Sequence, residues 1–250
     1  CIGGSIIISD IHPGIGAIHT QSYWSGYNQI VASDLMDSGL SPDEIIDYLV
    51  ENDVNDNPLI RQYGIVDIYE GGRSAAYTGE NCMDYKGHIL GNTYAIQGNI
   101  LLGEEILLDM EYNFNSTAGS LADKLMAALQ GANVQGADTR CLDDGTSSLS
   151  AFIRVAEPLD QDNNFYLDLN INNTSNGQEP INLLQALYDE WLENQNPVGD
   201  INDDGVLNIS DLIILIDFIL EDIYDANGDM NYDNGLNIQD ILILLNTIIM

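Results

Sequence analysis

Positive charge is nearly absent from this chain: six Lys and Arg stand against forty Asp and Glu in 250 residues, a formal net charge of −34. So acidic a surface repels nucleic acid and anionic membrane, and it attracts divalent cations, calcium first among them. No nucleic-acid partner is expected, and a saline, extracellular setting suits the charge. Long apolar runs are also missing. The longest, Leu212–Leu220 and Ile241–Met250, are interrupted by Asp217 and Asn246 and fall short of the ~20 residues a bilayer-spanning helix needs. No membrane span is expected. Cysteine is scarce, three in all. If Cys82 and Cys141 pair in an oxidising compartment, Cys1 is left free; three unpaired thiols are the other reading. An initiator Met and a signal segment are absent, so the terminus at Cys1 is expected to arise by cleavage. Apolar content, by contrast, is ample: 45% hydrophobic residues can build one medium domain and a small one.

The first residues, Cys1-Ile2-Gly3-Gly4-Ser5-Ile6-Ile7-Ile8, run a thiol straight into an apolar segment. A terminal α-amine, with a pKa of about 7.7–8.0, can serve as general base for the sulfur beside it, which is how N-terminal nucleophiles are activated. Two other readings stand beside this one. The terminus could be an ordinary trimmed end, or Cys1 could be a lipoprotein cysteine acylated after signal removal, anchoring the protein at a surface.

Pattern along the chain alternates strand pairs with helix pairs. Ile6–Ser9 and Gly14–Ser22 read as strands, the second behind a Pro13-Gly14 turn. Tyr27–Ser38 has helical periodicity, and Ser41-Pro42-Asp43-Glu44 is a capping box opening a helix to about Asn52. Arg61–Tyr69, Ser74–Thr78 and Tyr94–Leu101 return to strand, with a turn at Gly71-Gly72. Glu104–Asn115 and Leu121–Ala132 are helical, Ser148–Val155 and Phe165–Asn172 are strands, and Pro180 starts a helix to about Glu193. Strand sets separated by helix pairs predict an α+β fold: two stacked sheets with helices outside, a four-layer αββα sandwich.

Five strings resemble the motifs of a bacterial family of unknown function with the Ntn-hydrolase fold. They are Gly14-Ile15-Gly16-Ala17-Ile18-His19-Thr20-Gln21-Ser22-Tyr23, Arg61-Gln62-Tyr63-Gly64-Ile65-Val66-Asp67, Ala76-Tyr77-Thr78-Gly79, Tyr94-Ala95-Ile96-Gln97-Gly98-Asn99-Ile100-Leu101 and Gly136-Ala137-Asp138-Thr139-Arg140. The resemblance spans roughly residues 1 to 194 and implies the Ntn sandwich and, by analogy, amide-bond hydrolysis. Family members usually carry a strand hairpin upstream of the position of Cys1, so a self-cleaved peptide, lost or retained, is implied. Many relatives lack Cys at that position.

The resemblance nominates residues to serve Cys1. Asn99 would donate to an oxyanion, or close a strand end. Gln21 and Gln97 would orient a substrate amide, or simply be solvated. Arg61 and the Asp138/Arg140 pair would hold a substrate carboxylate or position the amine, against the ordinary reading of surface ion pairs. His19 and His88 read as structural or exposed.

Near the other end stands a repeated pattern. Asp200, Asn202, Asp204, Asn208 and Asp211 fall at positions 1, 3, 5, 9 and 12 of a calcium loop, with Gly205 at 6 and the Val206 carbonyl at 7. Asp229, Asn231, Asp233, Asn237 and Asp240 repeat it, with Asn234 at 6 and Gly235 at 7. Each loop feeds an apolar helix. Asp at position 12 and the lack of an entering helix resemble the dockerin module of bacterial extracellular complexes. The domains expected are therefore 1–194, a linker at 195–198, and a small all-α calcium module at 199–250 holding two ions. The combined expectation is a secreted, self-processed Cys1 amidohydrolase tethered through this module to a cohesin-like scaffold protein or to another copy of itself as a homo-oligomer. The alternatives are a non-catalytic scaffold on the same fold, and a lipid-anchored surface protein.

Overall fold

Alternation along one strand decides what faces what in this molecule. In the computed structural model, which describes residues 3–161, 164–175, 177–195 and 197–249, strands β1 (Ser9–His12), β2 (Gly16–Gln21), β3 (Gln62–Asp67) and β4 (Arg73–Thr78) form an antiparallel sheet in that order. β3 lies at its centre, with Gln62 opposite both Gln21 and Thr78. Successive β3 side chains take opposite faces. Tyr63 and Ile65 join a core with Ile18 and with Ala32, Met36, Ile45 and Leu49 of helices α1 (Gly26–Asp37) and α2 (Pro42–Glu51). Gln62 and Gly64 face the other way.

Local chemistry sets both helices. Ser25 caps α1 by accepting from the Asn28 amide. Ser41 and Glu44 close the expected capping box, with Pro42 at the first helical position where its missing N–H costs nothing. Burial of each large apolar side chain in this core is worth about 1.5–3 kcal/mol.

On the face of Gln62 and Gly64 lies a second hairpin, β5 (Gly87–Leu90) and β6 (Ala95–Gly98), packed on β3 and β4 and carrying helix α3 (Glu105–Ser116). Helix α4 (Leu121–Gly131) pairs with α3 at a crossing where Gly131 lies against the Asp109–Met110 backbone, and it touches β7 (Ala151–Val155), which pairs with β8 (Leu167–Ile171). The fold is thus mixed α and β, with several helices and antiparallel sheets.

One predicted strand is not a strand. Ile6–Ser9 was the reading from its β-branched run, but Ser5–Ile8 forms a 3-10 turn and β1 begins at Ser9. Gly4, at φ 76°, turns the chain, its N–H donating to the Asn172 carbonyl at 2.7 Å, while the Ser5 N–H reaches Ser150 Oγ at 3.2 Å. Contacts with β8 and β7 thus override a local strand preference. Strand β5 is the opposite case: Gly87–Leu90 carries little strand signal, and pairing with β6 makes it.

The chain divides into two compact units, Cys1–Leu187 and Tyr188–Met250, with the division inside helix α5 (Pro180–Gln195). In the second unit α6 (Ile209–Glu221) and α7 (Ile238–Ile249) share a core of Leu212, Leu215 and Leu244, ringed by Leu207, Met230 and Leu236. Among the described residues no helix is long and apolar enough to cross a membrane.

Candidate functional site

Cys1, the expected nucleophile, lies outside the described residues. Several of the residues expected to serve it do converge, and the point of convergence is Gln62. Its side chain is 0% exposed. Nε2 shares its two hydrogens among Thr78 Oγ1 at 2.9 Å and the Gly87 and Gly98 carbonyls at 3.0 and 2.8 Å. Oε1 accepts from Gln21 Nε2 at 2.7 Å and Asn99 Nδ2 at 3.0 Å. Gln21 and Asn99, far apart in sequence, are therefore held by one buried amide that joins the first sheet to the β5–β6 hairpin.

The backbone after each of these residues is left-handed without glycine. Ser22 and Tyr23 follow Gln21 at φ 57° and 49°, and Ile100 follows Asn99 at φ 61°. A β-branched residue there is an outlier, and such strain persists only where the surroundings over-determine it. They do so at Ile100: its N–H donates to the Met83 carbonyl, and its own carbonyl accepts from both the N–H and Oγ1 of Thr139. That bond places the Asp138-Thr139-Arg140 motif beside Asn99. Asp138 also bridges Leu101, and its carboxylate takes the Arg140 guanidinium, with Nε at 2.9 Å from Oδ1.

Gln97 faces β3 one step further along. Its amide packs over Gly64, a position with no room for a Cβ, and its Oε1 is buried without a partner. His88, cross-strand from Gln97, bonds Thr78 Oγ1 at 2.9 Å, and burial lowers its pKa. At His19 burial first, and Arg154 second, push the pKa down to about 4, and its ring meets Phe152 edge-on.

Arg61 is not part of this cluster. It stands just before β3, where Nε meets Asp53 Oδ2 at 2.7 Å, Nη2 meets Asn55 Oδ1 at 3.0 Å and Nη1 donates to the Tyr23 carbonyl. Asn28 and Tyr63 complete the network, through Asn28 Nδ2 to Asp53 Oδ2 at 2.6 Å and to Tyr63 Oη at 2.9 Å. Burial pushes Asp53 upward, yet bonds from Arg61, Asn28 and the Asn55 and Asn57 amides outweigh it and hold the pKa at about 2. Sequence reasoning passed over Gln62 and Asp53. The signal for Gln62 was its place in a strand between Arg61 and Tyr63; for Asp53 there was none, because its charged partner Arg61 and its amide partner Asn28 lie outside its own loop.

The cysteines also depart from expectation. Cys141 is disulfide-bonded, but Cys82 is a free, buried thiol whose Sγ lies 3.2 Å from the Arg61 carbonyl. A Cys82–Cys141 bridge is thereby overturned: the Arg61 carbonyl, not a second sulfur, is the partner of Cys82.

The two acidic loops fold alike. Asp200 accepts from the Asp204 and Gly205 amides at 3.2 and 2.7 Å; Asp229 accepts from the Asp233 and Asn234 amides at 3.1 and 2.7 Å. Gly205 and Asn234, at the sixth position of each loop, are left-handed at φ 78° and 66°. The Val206 and Gly235 carbonyls sit by Asn208 and Asn237 Nδ2, and Asn202 and Asn231 Oδ1 take the next-but-one amide in their loops. Asp200, Asp211, Asp229 and Asp240 are all buried. Residues 188–250 contain no Lys, Arg or His, so no side chain of this unit neutralises them. Among the described residues no three His, Cys, Asp or Glu converge to hold an ion by themselves, so each loop's donor set also needs its Asn and backbone oxygens. One oxygen, Asp240 Oδ1, is buried with no partner. The residues present fit a hard, oxygen-loving cation.

These features define a mixed α and β protein of antiparallel sheets followed by a small helical unit with two acidic loops. The chain belongs to the family of unknown function DUF1028, whose model matches residues 1–183. It is similar to protein SPO2555 from Silicibacter pomeroyi, a crystal structure described under the same family, with a TM-score of 0.60 at 20% identity over 76% of this chain and 78% of that one. At that identity the likeness is one of fold. No curated protein matches.

Proposed function

We propose that this is a secreted protein in two parts: a calcium-loaded, dockerin-like tail, and an Ntn-hydrolase unit of four-layer αββα architecture that the tail tethers to an extracellular complex. The observation that carries the proposal is the pair of loops with four buried carboxylates in a unit without one basic side chain. Buried charge without a partner is strongly unfavourable, and two calcium ions would supply the missing positive charge. Asp200, Asn202, Asp204, Val206, Asn208 and Asp211 would hold one, and Asp229, Asn231, Asp233, Gly235, Asn237 and Asp240 the other. Exposed apolar residues at matching places on the two helices, Ile213 and Leu220 on α6 and Leu242 and Ile249 on α7, offer faces to a cohesin-like partner or to a second copy. Calorimetry of the full chain should find two calcium ions, and limited proteolysis should cut residues 199–249 in chelator but spare them in millimolar calcium. A chain that binds no calcium ends the proposal.

For the first unit the reading is amide-bond hydrolysis. It is supported by helix pairs packed outside facing strand pairs, and by the convergence of Gln21 and Asn99 on Gln62 behind two strained turns. The Cys1 sulfur would attack an amide carbonyl, its α-amine would take the thiol proton, and the second Nδ2 hydrogen of Asn99 would donate to the oxyanion.

A scaffold reading is favoured by a different observation. Arg61 is buried and closed on Asp53, and Arg140 is paired with its own Asp138, so neither presents an unpaired charge to a substrate carboxylate. Amide turnover by the wild-type chain that is lost in Cys1→Ala supports the hydrolase; no turnover by the wild-type chain supports the scaffold. An acylated N-terminal mass would support the lipid-anchored reading.

A further inference from the structure

The two loops match in sequence at the twelfth position, Asp211 in one and Asp240 in the other, but the two carboxylates are not bonded alike. Asp211 is satisfied by the protein. Its Oδ1 accepts from the Ile201 and Asn202 amides at 3.0 and 3.3 Å, and its Oδ2 from the Asn208 amide at 2.9 Å. Asp240 keeps only the last of these, Oδ2 to the Asn237 amide at 2.9 Å, and its Oδ1 is buried without a donor.

The backbone gives the reason. At the entry to the second loop the Met230 N–H, counterpart of Ile201 N–H, turns back to the Gly228 carbonyl at 3.0 Å. That turn is held by Asp225, whose Oδ1 accepts from the Asn227 and Gly228 amides at 2.9 and 3.1 Å. The nearer of the two donors to Asp211 Oδ1 in the first loop therefore has its counterpart spent elsewhere in the second. Asp240, at 0% exposure, cannot turn to water instead.

Resting on the calcium reading above, we infer that the second loop is the tighter calcium site and fills first. An ion arriving there ligates an oxygen that has no other partner and removes the full penalty of a buried, unbonded carboxylate oxygen. In the first loop it finds Asp211 already bonded on both oxygens and gains less. A difference of roughly tenfold or more in dissociation constant follows from the size of that penalty.

The second loop carries its own reporter. Tyr224 Oη donates to Asp229 Oδ2 at 3.2 Å and Tyr232 lies within the loop, whereas Asp200–Asp211 contains no tyrosine. Terbium, which replaces calcium and luminesces when a nearby tyrosine is excited, can be titrated into the full chain alongside calorimetry with calcium. The expected result is two binding events at least about tenfold apart, luminescence saturating with the first. Asp240→Ala should abolish the tighter event and leave the weaker; Asp211→Ala should do the reverse. The double variant Tyr224→Phe with Tyr232→Phe should lose the luminescence, which assigns that signal to the second loop. Two equal events, or luminescence that follows the weaker one, overturns the inference while leaving calcium binding intact. No binding at all removes the calcium reading and this inference together. The wild-type order of events decides even if a variant fails to fold.

Discussion

Arg61 Nε and Asp53 Oδ2 lie 2.7 Å apart with their side chains 5% and 0% exposed, the most enclosed ion pair among the described residues of this acidic chain. Removing one partner leaves the other charged and buried. Asp53→Asn or Arg61→Ala should therefore cost about 3–5 kcal/mol at neutral pH, read by chemical denaturation of the full chain. Because the Asp53 pKa is held below its unfolded value, its contribution is complete above about pH 4 and is lost as pH falls toward about 2. The wild-type protein should keep all of it from pH 7 to about pH 5 and roughly half at about pH 3. An Asp53→Asn variant as stable as wild type at pH 7 would contradict this.

Gln62 should matter more to the fold than either candidate residue it holds. Gln62→Leu strands the Gly87 and Gly98 carbonyls together with the Gln21 and Asn99 amides, and unsatisfied buried groups cost about 1–3 kcal/mol each before relaxation. A loss on the order of 2–4 kcal/mol is expected. Gln62→Glu keeps the acceptor for Gln21 and Asn99 but removes the donor to the two carbonyls, so it too should destabilise. A neutral effect of both substitutions would show that the hub is dispensable.

Thiol chemistry should separate the two described cysteines. Cys82, buried against the Arg61 carbonyl, should react with iodoacetamide only after unfolding, with no reductant needed. Cys141 should react only after reduction. Peptide mapping that recovers a Cys82–Cys141 crosslink, or alkylated Cys141 from unreduced protein, would count against this assignment.

His12 fastens the edge strand β1 to helix α1. Nδ1 lies 2.7 Å from Asp37 Oδ1, Nε2 lies 3.5 Å from Asp10 Oδ2, and Ser33 Oγ is 3.1 Å from Nε2. Asp10 first, and Asp37 with it, raise the pKa of His12 against the opposing effect of burial, and Arg154 adds its field on Asp10. A raised pKa means that the stabilisation is complete below about pH 6.5 and lost as pH rises through the folded-state value. Melting temperature should therefore fall by a few degrees from pH 6 toward pH 9 in wild type, and His12→Gln should flatten that part of the profile. Identical profiles would refute the fastening.

Much of the architecture was legible before any coordinates. The helix opened by Ser41 starts where its capping box sits, because a hydroxyl satisfying an amide three residues on is a local event. The Pro13-Gly14 turn needs only a glycine that tolerates φ 74°. Gln21 and Asn99 could be nominated as candidates, but nothing in their own segments indicated that they meet, or that Gln62 is the group between them.

By itself, then, the sequence determined those features whose causes lie within a turn of the chain: helix starts, strand alternation on β3, the spacing of the two acidic loops, and a charge that leaves residues 188–250 without one basic side chain. The tertiary structure alone decided which distant groups share a bond. It bent Ser5–Ile8 away from the strand its isoleucines favour, bonded Cys141 while leaving Cys82 free, and closed Arg61 on Asp53. It also made Asp211 and Asp240, equivalent in pattern, unequal in bonding. The reason is physical: a backbone donor serves one acceptor well, and which acceptor it serves depends on the path of the chain, as with the Met230 amide that turns to Gly228 and leaves Asp240 with an oxygen unbonded.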